Sequence, residues 1–210
     1  MMRSGEIADA LEVEFSRQRR AHWASVVQST GQHNWGSYYH KRLSEIYRFL
    51  IPPGRRVLEL GSGSGRLLAA LRPSVGVGVD FSPEMTELAK RTYPSLEFVC
   101  ADVHAIPVRE EFDYIILSDL LNDVWDVLQV LKEVQNLVHT RSRIVINLYS
   151  RLWELPLDAV GKLRLAKPNL NQNWLTVPDV SNCSGLPTLK SFARGTRCSD
   201  RSIRPSFHRL

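Results

Sequence analysis

The residues best placed to do chemistry are three closely spaced glycines and the acidic residue that follows them. Residues 57–65 read VLELGSGSG, and a second apolar run, GVGVD, ends at Asp80. An apolar strand that enters a glycine turn, then a helix, then a strand with a terminal carboxylate is typical of the first βαβ unit of a nucleotide-binding α/β domain. Glycine lets the backbone turn sharply and approach a ligand closely. A carboxylate at the end of the neighbouring strand can accept hydrogen bonds from both hydroxyls of a ribose.

The spacing of the loop argues against two common nucleotide sites. The dinucleotide fingerprint requires glycine at the sixth position of the motif, where this chain has Arg66. The phosphate loop of nucleotide hydrolases requires Gly-Lys followed by Ser or Thr, and the sequence contains no such run. Instead, Glu59 precedes the glycines in the order E-x-G-x-G-x-G. A carboxylate there suits a cationic ligand better than a pyrophosphate. An ordinary strand–turn–helix without a ligand is the alternative.

This motif resembles the first motif of the class I S-adenosylmethionine-dependent methyltransferases. The resemblance covers about residues 15–180, and the glycine motif carries most of its specificity. It implies that S-adenosylmethionine is the cofactor and that its methyl group passes to a substrate oxygen, nitrogen or carbon. It also implies a cofactor site composed of Glu59, Gly61, Ser62, Gly63, Gly65, Asp80, Phe81, Met85, Asp102, Val103 and Ser118.

The resemblance also implies what each part of that site does. The glycine loop would pass beneath the methionine part of the cofactor, and Asp80 would hold the ribose. Phe81 and Met85 would lie near the adenine, although such residues are common core residues as well. Asp102 would accept a hydrogen bond from the adenine amine, and Val103 would donate its backbone amide. Ser118 would line the floor beside the methyl group, and the candidates for a general base are Asp119 and His40.

Alternating strands and helices predict an α/β fold in the rest of the chain. Strands are expected at 96–100, 112–119 and 143–149, and helices at 83–92 and 123–138. This order predicts a Rossmann-like, mostly parallel sheet with helices on both faces. Ligands bind beyond the carboxyl ends of such strands, and four acidic residues fall at or just past these ends: Glu59, Asp80, Asp102 and Asp119.

The pattern divides the chain into three parts. Residues 1–54 form a helical cap, 55–180 the cofactor-binding core, and 181–210 a basic tail. Such leading helices in the resembled family cap the cofactor and contact substrate. An aromatic and histidine cluster in the cap either lines that mouth or serves packing and surface; its members are His33, Trp35, Tyr38, Tyr39 and His40.

The positive charge of the chain is concentrated at its end. The 210 residues include 27 Lys and Arg against 22 Asp and Glu, and the whole excess lies in residues 181–210. The neutral remainder argues against a nucleic-acid partner. The tail has no helical or strand period where the resembled family places a helix and two antiparallel strands. We therefore interpret it as the product of a reading-frame change near Asn182 that leaves the sheet edge incomplete. The alternative is a genuine disordered basic tail that binds anionic surfaces by charge.

Residues 150–177 resemble the methyltransferase segments joined to glycosyltransferases of cell-envelope glycan assembly, which implies a small-molecule, glycan or lipid-related acceptor. The polar and aromatic residues of this segment either bind a polar substrate or form a surface helix and its loop; they are Trp153, Asn171, Gln172, Asn173 and Trp174. A NAD(P)-dependent oxidoreductase and a non-catalytic or inactive cofactor-binding protein remain alternatives.

The chain start, its apolar runs and its cysteines predict where the protein works. The start lacks the pattern of a signal peptide, and no apolar run is long enough to cross a membrane. The cysteines at 100, 183 and 198 have neither disulfide nor metal-ligand spacing, so we expect a reducing cytoplasm and no metal site. The sequence does not predict an oligomeric state.

Overall fold

A parallel β-sheet forms the centre of the computed structural model, which describes residues 4–29, 35–148, 173, 175–176 and 178–180. Its strands are β1 (Arg56–Leu60), β2 (Val75–Asp80), β3 (Glu97–Cys100), β4 (Tyr114–Ser118) and β5 (Arg143–Asn147). They lie in the order β3-β2-β1-β4-β5, and every neighbouring pair is parallel. The chain runs from β1 outward to β2 and β3 and then returns to place β4 on the other side of β1, so the strand order reverses beside β1. Ligands bind beyond the carboxyl ends of the strands at such a switch point.

Five helices are described with the sheet: α1 (Ser4–Ser29), α2 (Trp35–Leu50), α3 (Arg66–Leu71), α4 (Pro83–Thr92) and α5 (Val127–Gln135). The start of α5 differs from the helix predicted at 123–138. Asp126 caps it, because its side chain accepts a hydrogen bond from the Gln129 backbone N–H at 3.0 Å. The preceding residues form a loop, although their apolar spacing suits a helix.

Both faces of the sheet are covered by apolar side chains. Successive residues of a strand point to opposite faces. Val57 and Ile116 accordingly pack with apolar residues of α2, α3 and α4, whereas Leu58 and Ile115 pack with those of α5. The prediction of a Rossmann-like parallel sheet with helices on both faces is therefore confirmed.

The long helix α1 is anchored to the loop that follows β4. The guanidinium of Arg19 lies 2.8 Å from the Asp123 carboxylate, and its Nε also donates to the Asp123 carbonyl. The Trp23 indole N–H donates to the other carboxylate oxygen at 3.0 Å, and Phe15 packs edge-to-face on Trp125. Within the described helices, none has the length and apolar character required to cross a membrane.

Several predictions concern residues outside the described part of the chain. These are the tail at 181–210 with the incomplete sheet edge, the side chain of Trp35, and His33, Trp153, Asn171, Gln172 and Trp174.

Close packing behind the glycine loop explains why Gly65 is required. Its φ is +75°, a conformation that residues with a Cβ rarely adopt. A Cβ at this position would also lie 2.5 Å from the Phe98 ring. The turn from β1 into α3 therefore depends on glycine for its backbone and for its contact with β3.

We expect Gly65→Ala to destabilise the protein more than Gly54→Ala. Gly54 has the same backbone angle, but a Cβ there would meet nothing within 4 Å. The Gly54 variant should lose about 1–2 kcal/mol from backbone strain alone. The Gly65 variant should lose about 1–3 kcal/mol more because the methyl group overpacks against Phe98. Urea denaturation measures both free energies of unfolding, and equal losses would contradict the packing argument.

Candidate functional site

The four predicted acidic residues lie at the carboxyl edge of the sheet. Glu59 is the penultimate residue of β1 and Asp80 is the last residue of β2. Asp102 lies two residues beyond β3, and Asp119 directly follows β4. Parallel strands that are paired in register bring these positions to one side of the molecule.

Asp80 holds the glycine loop in place. Its Oδ2 accepts a hydrogen bond from the Gly63 backbone N–H at 2.8 Å, and its Oδ1 accepts one from Ser82 at 2.9 Å. Burial raises the pKa of Asp80, although these two hydrogen bonds oppose the change. A carboxylate offers about four acceptor positions. Asp80 therefore retains acceptor capacity for a ligand hydroxyl.

The loop leaves open space in front of Gly63. The Gly61 and Ser62 N–H groups both donate to the Val79 carbonyl, which fixes the turn against β2. Gly63 has φ +50°, and a Cβ there would meet no atom within 4 Å. A backbone cradle with free space above it can accept a ligand at close range.

Glu59, two residues before Gly61, is buried, and its hydrogen-bonding capacity is only partly satisfied. The Leu68 backbone offers it a hydrogen bond, but its Oε2 has no hydrogen-bond partner among the described residues. Burial is the main reason that the pKa of Glu59 is raised to about 8, and Asp80 adds to the rise. A cationic group near Oε2 would favour the ionised carboxylate.

Asp119 lies at the centre of a hydrogen-bond network with α2 and β5. The Tyr39 hydroxyl donates to its Oδ2 at 2.7 Å, and the Asn147 amide donates to its Oδ1 at 2.5 Å. The Tyr47 hydroxyl donates to the Asn147 amide oxygen at 2.6 Å. Burial raises the pKa of Asp119 to about 6, although Tyr39 and Asn147 both oppose the rise. Its backbone also has φ +57°, a strained conformation of a kind that occurs often at functional sites.

Three residues of this network extend the predicted site. Tyr39 belonged to the aromatic cluster assigned either to the mouth or to packing. Tyr47 is buried in α2, and nothing in the sequence indicated its hydrogen bond with Asn147. Asn147 is the polar residue within the β-branched run RIVINLY, and that interruption was the available signal.

His40 lies beside this network without joining it. Its ring stands edge-to-face with Tyr39, 5.6 Å between centroids, and makes no hydrogen bond with a described residue. Desolvation and the positive charge of Arg66 lower the pKa of His40. Ser118 interacts with the Tyr47 hydroxyl at the end of β4. Of the two predicted candidates for a general base, Asp119 is thus the one that side-chain hydrogen bonds from Tyr39 and Asn147 hold in place.

The residues predicted to surround the adenine differ in accessibility. Phe81 is half-buried next to Asp80, whereas Met85 is buried in α4 and its N–H donates to the Ser82 hydroxyl. The Val103 side chain belongs to the core. Asp102 is half-buried, and its pKa is lowered mainly by a hydrogen bond with the His104 side chain. Phe81 and Asp102 thus have the more accessible side chains of this group.

Asn173 has a clear structural partner. Its side-chain amide donates to the carbonyls of Leu121 and Val124, and its backbone exchanges hydrogen bonds with Asn122. These contacts hold the loop after β4 in place. They support the structural alternative for Asn173 over direct substrate binding.

Known proteins share both the sequence pattern and the fold. Residues 51–186 match a protein family described as a methyltransferase domain. The chain is similar to a demethylmenaquinone methyltransferase of Beutenbergia cavernae, with 33% identity over 112 residues, which cover 51% of this chain and 46% of that protein. The chain spans about half the length of the curated relatives it matches.

Two solved structures share the fold. A Pyrococcus horikoshii protein aligns with a TM-score of 0.59 at 21% identity, over 73% of this chain and 82% of that one. An S-adenosylmethionine-dependent methyltransferase of Thermotoga maritima, described as a possible histamine N-methyltransferase, aligns with a TM-score of 0.56 at 18% identity. That alignment covers 71% of this chain and 75% of that one.

We expect Glu59→Gln to be more stable than the wild type at pH 8. The native carboxyl keeps its proton up to about pH 8, whereas in the unfolded chain it loses the proton near its ordinary pKa of 4.5. The unfolded state therefore binds fewer protons in this interval, and wild-type stability falls as the pH rises through it. Glutamine cannot ionise, so it removes this loss.

Thermal denaturation at pH 5 and pH 8 measures the effect. The advantage of the Gln variant over the wild type should grow with pH. Glu97→Gln is the matched control, because Glu97 is exposed on β3 and should show no such growth. A Glu59→Gln variant that is less stable than the wild type at pH 8 would refute the assignment of a neutral, buried carboxyl.

Proposed function

Since the chain belongs to the methyltransferase-domain family, we propose that it transfers a methyl group from S-adenosylmethionine to a small-molecule, glycan or lipid-related acceptor. The single observation that carries the proposal is the buried, incompletely hydrogen-bonded Glu59, two residues before a glycine loop with open space at Gly63. A cationic ligand at this site would favour the ionised form of the buried carboxyl and give its free oxygen a partner. S-Adenosylmethionine carries an ammonium, a sulfonium and a ribose, and so matches both Glu59 and Asp80.

Different residues of the carboxyl edge would hold different parts of the cofactor. Glu59 and the glycine loop would hold its methionine part, and Asp80 would hold the ribose with its remaining acceptor positions. The half-buried Asp102 and the Val103 N–H, which donates to no described acceptor, would hold the adenine. The bound cofactor supplies an electrophilic methyl group. The main contribution of the protein is then to align the acceptor with that group.

Asp119 is the residue that we propose to accept a proton from the acceptor. Its raised pKa of about 6 leaves it ionised at neutral pH while it remains a stronger base than an ordinary aspartate. Tyr39 and Asn147 fix the orientation of its carboxylate. The acceptor would thus enter between α2 and the ends of β4 and β5.

The name of one relative supports a small-molecule acceptor. The Beutenbergia cavernae relative is named for a small molecule, demethylmenaquinone. Within the proposed division of the chain, residues 1–54 cap the site and 55–180 form the core.

Cys100 is exposed and free, which supports a reducing, cytoplasmic setting for the protein.

The protein should bind adenosylhomocysteine and should not bind NAD. Titration calorimetry with each ligand measures this directly. Asp80→Ala should bind adenosylhomocysteine at least about tenfold more weakly, because each charge-assisted hydrogen bond to the ribose contributes about 1.5–3 kcal/mol. Circular dichroism confirms that the variant is folded. Tight NAD binding without adenosylhomocysteine binding would contradict the proposal, and unchanged affinity in the folded variant would remove Asp80 from the site.

Methyl transfer should depend on ionised Asp119. A screen of small hydroxyl, amine and glycan acceptors with methyl-labelled cofactor identifies a substrate, and its rate should rise with pH through about 6 and then level off. Asp119→Asn should lower the rate by about 10²–10⁴-fold and abolish that rise. Tyr39→Phe removes a hydrogen bond that lowers the pKa, so it should shift the rise to higher pH. An Asp119→Asn variant with the wild-type rate would exclude Asp119 as the base.

A further inference from the structure

His104 connects two segments of the carboxyl edge, the one that follows β3 and the one at the start of α5. Its Nδ1 lies 2.6 Å from Asp102 Oδ1, and its backbone N–H donates to the same oxygen at 2.9 Å. On its other side, the Asp126 backbone N–H donates to Nε2 at 3.1 Å. The Gln129 side chain donates to the His104 carbonyl at 2.9 Å. A single residue thus links the segment after β3 with the start of α5.

These contacts determine which ring nitrogen carries the proton. A backbone N–H only donates, so Nε2 must be the acceptor in its bond with Asp126. In the neutral ring the proton then sits on Nδ1, which donates to Asp102. Oδ1 of Asp102 therefore receives both donors from His104, while Oδ2 accepts no hydrogen bond from a described residue. The charged groups of α1 that act on this pair are Glu12 and Arg20.

We infer that His104 is a positioning residue that fixes the Asp102 carboxylate, so that its free Oδ2 selects a nucleobase carrying an exocyclic amine. This inference rests on the proposed function, because it takes the ligand to be an adenosyl cofactor. A carboxylate at a loop can rotate about its side-chain torsions, and two donors on one oxygen remove that freedom. The second anchor, at Asp126, keeps the ring itself from turning.

Two substitutions separate the contacts of the ring. His104→Asn keeps an amide nitrogen at the δ position, where it can still donate to Asp102, but it does not reach Asp126. His104→Gln places its amide at the ε position, where it can accept from Asp126 while the δ donor is lost. His104→Ala removes both side-chain contacts, and the backbone N–H bond to Asp102 remains in every variant.

The experiment compares adenosylhomocysteine with its analogue in which hypoxanthine replaces adenine. Hypoxanthine presents a carbonyl oxygen where adenine has its amine, so an acceptor such as Asp102 rejects it. Calorimetry should show that the wild type prefers the adenine ligand at least about tenfold, since a charge-assisted hydrogen bond is lost with the analogue. The Asn variant should retain most of this preference, whereas Ala and Gln should lose about fivefold or more of it.

His139→Ala is the matched control. His139 also accepts a backbone N–H through its ring, from Arg141 at 3.2 Å, but it precedes β5 at the opposite end of the sheet. The His139→Ala variant should leave the affinities for adenosylhomocysteine and for its hypoxanthine analogue unchanged. Thermal denaturation verifies that all variants are folded. A purely structural role for His104 would weaken both ligands equally and leave their ratio intact.

The outcomes distinguish the inference from the proposed function. Failure of the wild type to bind adenosylhomocysteine overturns the proposed function, and the inference with it. Wild-type binding with an unchanged ligand ratio in His104→Ala overturns the inference alone. Equal loss of preference in the Asn and Ala variants also overturns it, because the δ contact with Asp102 would then have no effect.

Discussion

The two hydrogen bonds of the Asp80 carboxylate connect the last residue of β2 with the loop that leaves β1. One oxygen holds Gly63 and the other holds Ser82, the capping residue of α4. The same side chain therefore sets the path of the glycine loop and the start of the following helix. The loop contributes few side chains of its own, so backbone hydrogen bonds keep its shape. The Asp80 carboxylate adds to the bonds that the Gly61 and Ser62 N–H groups make with the Val79 carbonyl.

Three of the four acids of the edge share a second physical condition, which is extensive burial that their hydrogen bonds do not fully offset. Burial disfavours the charged form and raises the pKa of Glu59, Asp80 and Asp119. In the free protein, the charged forms of these three carboxyl groups are therefore less stable than they would be in water. A ligand that brings positive charge and donors relieves this cost, and its binding free energy then adds to the stability of the fold.

Much of the fold and of the cofactor edge could be predicted from the sequence because it rests on local patterns. The glycine spacing, the apolar runs and the acids at the strand ends predict the parallel sheet and the grouping of Glu59, Asp80, Asp102 and Asp119. The network around Asp119 was harder to predict from the sequence, because Tyr39 and Asn147 lie about a hundred residues apart and meet only in the folded sheet. The role of His104 was missed for a related reason. Its partners are two residues away in one direction and 22 in the other, and a lone histidine in a loop predicts neither contact.

The anchoring of α1 bears on the order in which the molecule can be assembled. Arg19 and Trp23 find their partner, Asp123, about a hundred residues later in the chain. On a ribosome that adds about 5–20 residues per second, the helix emerges on the order of ten seconds before its docking partner. Until then it lacks both of its hydrogen-bonded anchors at Asp123, although α4, which is synthesised earlier, already offers it part of its packing surface. The helix α1 therefore precedes β1 in the chain but is anchored only once the loop that follows β4 has been made.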